Sequence, residues 1–172
     1  MRPGRDRKGQ GSVVVPANSS LRMLVTNHVL AGAAVGAVLR RRPVTAFAAG
    51  LASHVIMDSL PHWGLPGEAQ TAERFLRVAR RDGLLGLAAL LALSGGAVGA
   101  RRAVVAGMAG ATLLDVDKPA RHFFGRNPVP APVQRFHERI QRESPRRMPG
   151  EFLAGVALLA LSSALIRRSQ GL

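Results

Sequence analysis

The residues most able to do chemistry lie in Ser53-His54-Val55-Ile56-Met57-Asp58-Ser59-Leu60-Pro61-His62-Trp63, where three ligand-type side chains close an apolar segment. On a helix, His54 and Asp58 are four apart and share a face. Pro61 disfavours a helical Leu60, so His62 either extends that face or sits on the turn that follows. The chain has no cysteine, so any metal must be held by His and carboxylates. That donor set suits Zn²⁺, with Mn²⁺, Fe²⁺ or Mg²⁺ favoured as the carboxylate share grows. Such an ion lowers the pKa of water towards 7 and polarises an ester or phosphoryl oxygen, the chemistry of hydrolysis.

The other ligand types fall where they can join this group. His28 lies about two turns into the first apolar segment, and His54 about two turns before the end of the second, so the two sit at matching depth. Asp115 and Asp117 close a fourth segment at the same end, and His122 and His137 follow in the loop it feeds. An Asp inside an apolar segment costs about 2.5–3.5 kcal/mol on insertion scales and usually faces a cavity or a partner. Plainer readings stand beside this one. His28 alone reads as a helix-packing hydrogen bonder, and His54 with Asp58 as a hydrogen-bonded pair without metal. Asp115 and Asp117 are about 200° apart on a helix and converge only if the helix ends there, as Pro119 encourages. Trp63 and Phe123-Phe124 read as interfacial anchors.

The elements that must position these residues are helical. Of the 172 residues 47% are apolar and 4% aromatic, in the Ala/Leu/Val/Gly-rich manner of small-residue membrane helices. Residues 1–20, basic and rich in Gly and Pro, read as a disordered tail, and 21–168 as one all-α transmembrane domain. Five apolar segments are expected to span a membrane: 21–39, 43–60, 83–100, 102–117 and 150–166. Gly32-x3-Gly36 and Ala103-x3-Gly107-x3-Ala111 would let backbones approach closely. With five crossings, 17 of the 24 Lys and Arg fall on the side of the N-terminus and 7 on the other, which predicts a cytoplasmic N-terminus in a multi-pass inner-membrane protein. The net charge of +14 is spread between apolar runs with no nucleic-acid motif, so nucleic acid is not an expected partner. Residues 72–81 form a basic amphipathic helix suited to an anionic surface, and in the later loop His137 shares the apolar face of Val133, Phe136 and Ile140. The Ser-elbow, phosphate-loop, His-Glu-x2-His and dinucleotide templates are absent.

Thr26-Asn27-His28 with Gly32, Gly50-x2-Ser53-His54-x3-Asp58-x2-Pro61-His62-Trp63, Leu114-Asp115-Val116-Asp117-Lys118-Pro119 and Phe136-His137-x3-Gln141 resemble a family of small bacterial inner-membrane proteins known as membrane-bound metal-dependent hydrolases, remotely similar to zinc-dependent phospholipase C. The resemblance covers residues 23 to about 145. It implies His28, His54, Asp58, His62, Asp115, Asp117 and His137 as metal-site candidates. The chain has Leu114 before the acids and Lys118 after them, where the family carries Pro-Asp-x-Asp-His.

The resulting expectation is a five-helix membrane protein whose metal site serves hydrolysis of a phosphoester or lipid-type substrate at the cytoplasmic face, with membrane lipids as partners. His28, His54, Asp58, Asp115 and Asp117 would bind the metal, zinc before manganese, iron or magnesium. His62 and His137 would bind it or move protons, and Lys118 or Arg121 would hold an anionic head group. Two rivals from other classes are a noncatalytic bundle that packs or binds lipid through these residues and a proton-coupled transporter. A transporter needs polar residues towards both faces, and here they gather at one.

Overall fold

A computed structural model describes residues 24–64 and 72–170, the side chains of 72–76 and 122 excepted. The expected tail at 1–20 lies outside the described residues. The chain is predominantly helical: α1 (Val25–Val38), α2 (Pro43–Ser59), α3 (Ala72–Gly96), α4 (Arg101–Thr112), α5 (Asp117–Phe124), α6 (Ala131–Ile140) and α7 (Met148–Gln170). Two short strands, β1 (Pro61–Trp63) and β2 (Arg142–Ser144), pair in parallel with His62 opposite Glu143.

The expectation of five transmembrane helices is overturned. Among the described residues only Pro145–Gln170, 26 residues containing α7, is long and apolar enough to cross a membrane. The reason is length. α1 has 14 residues and α4 has 12, reaching about 21 and 18 Å against a hydrocarbon core of about 30 Å. α2 is also short at 17 residues. α3 is longer, yet it is one continuous helix whose N-terminal half carries Arg77, Arg80, Arg81 and Asp82, so the basic surface helix and the span expected there are a single element. The fourth expected span breaks after Thr112 into a 3-10 turn, Leu113–Val116, before α5. Without five crossings the 17-to-7 charge split no longer sets a cytoplasmic N-terminus.

α1, α2 and α4 form the packed centre, and small residues make that possible. A methyl group on Gly32 would come within 2.5 Å of the Gly107 carbonyl oxygen, so α1 and α4 touch backbone to backbone there. Gly50 on α2 meets the same turn of α4. Beside this seam Val29, Leu30, Val104 and Met108 of α1 and α4 pack with Leu93 of α3 and Ile166 of α7. Each of the larger side chains contributes about 1.5–3 kcal/mol by burial.

The helix directions sort the ends of the bundle. The start of α1, the end of α2, the end of α4 and the start of α7 meet at one pole, as the contacts of Asn27 with Glu151 and of His54 with Ala111 record. Asp82 of α3 fastens that pole: its carboxylate accepts hydrogen bonds from the Val25 and Thr26 amides at 2.6 and 3.2 Å and from the Thr26 hydroxyl. These are α1's orphan N-terminal donors, satisfied by a side chain 57 residues away. Arg40 to Arg42, Arg101 and Arg102, and Arg167 and Arg168 lie at the opposite ends of these helices.

Candidate metal centre

His54 and Asp58 occupy successive turns of α2 and are fully buried. Leu60 takes an extended conformation ahead of Pro61 and ends α2, so His62 stands on β1 rather than on the helix face of its neighbours. The β1–β2 pairing then does what sequence spacing could not show. Because β2 follows α6 directly, anchoring residues 142–144 beside 61–63 carries the end of α6, with His137 and Gln141, to the end of α2.

Asp58 is the hub. Its Oδ2 lies 2.7 Å from His137 Nε2 and 3.2 Å from His54 Nε2, and it accepts a hydrogen bond from Gln141 Nε2 at 2.9 Å. His28 Nε2 lies 3.3 Å from Oδ1, an oxygen that is buried without a hydrogen-bond partner. His54 and His137 turn their Nε2 atoms towards each other at 3.0 Å, and the His28 and His54 rings stack at 4.2 Å between centroids. Asp115 completes the group at 4.0 Å from both His28 and His137. Two sets of ligand atoms, His28 with His54 and Asp58, and His54 with Asp115 and His137, each fall within 4.8 Å of one another and could hold a metal ion.

The donor geometry fits a cation. Nδ1–H of His54 donates to the Ala111 carbonyl at 2.7 Å, which in the neutral ring leaves the Nε2 lone pair facing Asp58. Tetrahedral bonds of 2.0–2.1 Å separate ligand atoms by about 3.3–3.4 Å. The His28–Asp58 separation stands at that value and the His54–Asp58 separation just under it, through different oxygens of Asp58, while His137 sits closer to both Asp58 and His54. The charges agree. Burial would raise the Asp58 pKa, but the imidazoles of His137, His28 and His54 outweigh it and hold the group below the usual carboxylate range. Burial also works against ionised Asp115, yet Lys118 and the imidazoles of His28 and His54 hold its pKa down to about 2. For His54 burial pushes downward, while the hydrogen bond to Asp58 and the charges of Asp115 and Asp58 raise the pKa on balance. Two ionised carboxylates thus draw positive charge to one buried point, as protons or as a metal ion.

The remaining predicted residues divide. Asp117 is buried with Oδ1 unpartnered, and its Oδ2 meets Arg121 at 3.6 Å. It lies outside both ligand groups. Lys118 Nζ pairs with Asp115 Oδ1 at 2.5 Å, so both expected anion binders already hold carboxylates of this chain. His62 donates from Nδ1 to the Leu60 carbonyl at 2.8 Å and keeps a buried, unpartnered Nε2 outside the ligand groups. The His122 side chain is outside the described residues. His137 is buried, but Val133 and Phe136, expected to share its apolar face, remain exposed.

A set of polar contacts around the site was not expected from the sequence. Glu151, buried in the first turn of α7, accepts from the Asn27 amide at 2.7 Å and from the Trp63 backbone N–H at 3.3 Å. It joins the residue before His28 to the residue after His62. A carboxylate at the head of an otherwise apolar segment was the available signal. No family model matches the chain, and no curated protein or solved structure matches it.

Proposed function

We propose that the chain is a metal-dependent hydrolase of the membrane-bound class its motifs resemble, acting on a phosphoester or lipid-type substrate. The observation that carries the reading is the convergence of His28, His54 and His137, from three separate helices, on the one buried carboxylate of Asp58. His28, His54, Asp58, Asp115 and His137 would hold the ion, which zinc suits best among the divalent metals. When bound, it would supply Lewis-acid polarisation of a phosphoryl or ester oxygen and a water of lowered pKa. Gln141 orients Asp58 and His137, being within 2.9 and 3.0 Å of their site-facing atoms. Ala111 fixes the His54 tautomer through its carbonyl. His62, with its free Nε2, is the proton carrier of this reading.

The reading places the protein at the bacterial inner membrane through α7. Phe152, Leu153, Val156, Leu159 and Leu161 of that helix are exposed large apolar side chains, which favours an apolar surrounding.

A noncatalytic centre is the second reading, favoured by the complete burial of His28, His54 and Asp58. Turnover separates the two. Full-length protein in detergent, loaded with Zn²⁺ or Mn²⁺, is assayed on a phospholipid and on a simple phosphodiester, alongside Asp58→Asn. Chelator-sensitive hydrolysis that Asp58→Asn abolishes supports the enzyme. Bound metal with no turnover of either class supports the noncatalytic centre.

A further inference from the structure

The pole opposite the His/Asp centre carries a charge pattern that the metal site does not use. The α1–α2 connection brings Arg40, Arg41 and Arg42; the start of α4 brings Arg101 and Arg102; the end of α7 brings Arg167 and Arg168. Contacts tie these segments together. Arg40 Nη1 donates to the Ser169 carbonyl at 3.5 Å, Arg101 Nε donates to the Ser94 carbonyl at 3.1 Å, and Gln170 donates to the Gly96 carbonyl. Arg41, Arg42, Arg101, Arg102, Arg167 and Arg168 are all exposed.

Nothing in the neighbouring sequence neutralises them: residues 39–47, 94–106 and 162–170 contain no Asp or Glu. Five of the guanidinium groups also flank the starts of α2 and α4, neither of which has an acidic residue in its first turn or a side-chain cap. Cations at a helix N-terminus oppose its dipole, so the fold alone gives no stability reason for this placement. An anionic partner does. Beside the arginines stand Val38, Val44 and Val98, 65%, 83% and 81% exposed. Aliphatic side chains among arginines match a layer with phosphate heads and acyl chains beneath, whereas single-stranded nucleic acid is held by aromatic stacking.

We propose that this pole is a docking surface for the anionic phospholipid headgroups of a bilayer. It stands apart from the metal centre, so either can fail without the other.

The test uses full-length protein in a nonionic detergent and follows thermal unfolding with added phosphatidylglycerol or phosphatidylcholine. At about a hundredfold over its dissociation constant, phosphatidylglycerol should raise the melting temperature by about 5–11 °C, and phosphatidylcholine should not. The shift should vanish in R41Q/R42Q/R101Q/R102Q, survive in the corresponding four-lysine variant and survive in R135Q/R139Q. A single cooperative unfolding transition in each variant without added lipid checks that it is folded. Equal responses to the two lipids, in wild type alone, overturn the proposal. So does a phosphatidylglycerol shift that persists in the four-glutamine variant, or an equal shift from a duplex oligonucleotide.

Discussion

Asp58→Asn changes one oxygen to nitrogen at the point where three imidazoles meet, and the structure sets the size of two separate effects. Without metal, the mutant loses hydrogen bonds to a charged acceptor, worth about 1.5–3 kcal/mol. In a chain of this length that lowers the melting temperature by about 3–12 °C. The loss depends on pH with a definite sign. His54 has its pKa raised above 6.5, so its interaction is fully present below about 6.5 and is lost as pH rises through the folded value. Asp58 has its pKa depressed below 3.8, so its contribution is present above about 3.8 and is lost as pH falls through the folded value. The gap between wild type and mutant, measured with chelator present, should be widest between about pH 4 and 6.5 and narrow as pH rises through the folded pKa of His54. With Zn²⁺ at about a hundredfold over its dissociation constant and pH 7.5, wild type should gain about 5–11 °C. The mutant should gain clearly less, because Asn keeps the shape but not the charge and only the His54, Asp115 and His137 group is left whole. Scanning calorimetry or intrinsic fluorescence in detergent reads both effects. A zinc response in Asp58→Asn equal to that of wild type would overturn this role of Asp58, and so would a gap that widens as pH rises above about 6.5.

Removing the carboxylate of Asp82 strips the α1 amides of their partner, so Asp82→Ala should lower stability by about 0.5–2 kcal/mol in calorimetry while leaving metal stoichiometry unchanged. Gly107→Ala sets a methyl group against Gly32 and should cost about 1–3 kcal/mol; because α4 leads directly to Asp115, metal affinity measured by competition with a chelator should fall with it. Gln141→Leu removes the hydrogen bond to Asp58 and should weaken metal binding about 10–100-fold without abolishing it, as a titration against a fluorescent zinc chelator would show.

Local pattern made the helical character and the α2 pair legible. The i,i+4 spacing of His54 and Asp58 required nothing beyond the helix itself, and the matched depth of His28 required only that α1 and α2 be antiparallel neighbours. Pro61 announced the end of α2. What failed was the inference from apolar composition to membrane crossing. Runs of Ala, Gly and Val in α1 and α4 answer to backbone contact at Gly32 and Gly107, a packing demand that small apolar residues meet inside a bundle as well as in lipid. The β1–β2 pairing was not legible either, since it joins residues about 80 apart through two three-residue strands with no alternation to detect. Without it, His137 had a face but no partner. Asp82 and Glu151 went unread because each satisfies donors supplied by distant residues, and side-chain caps of that kind leave no local spacing.

The most direct measurement is elemental analysis of the full-length protein, purified in detergent without added metal or chelator, for wild type and His54→Ala. His54 belongs to both ligand groups, so its loss should undo either. About one or two divalent ions per wild-type chain are expected, zinc foremost, with most of that metal lost in the variant. Equal metal content in the two proteins, or a wild type that carries none and takes up none from a zinc buffer, would contradict this.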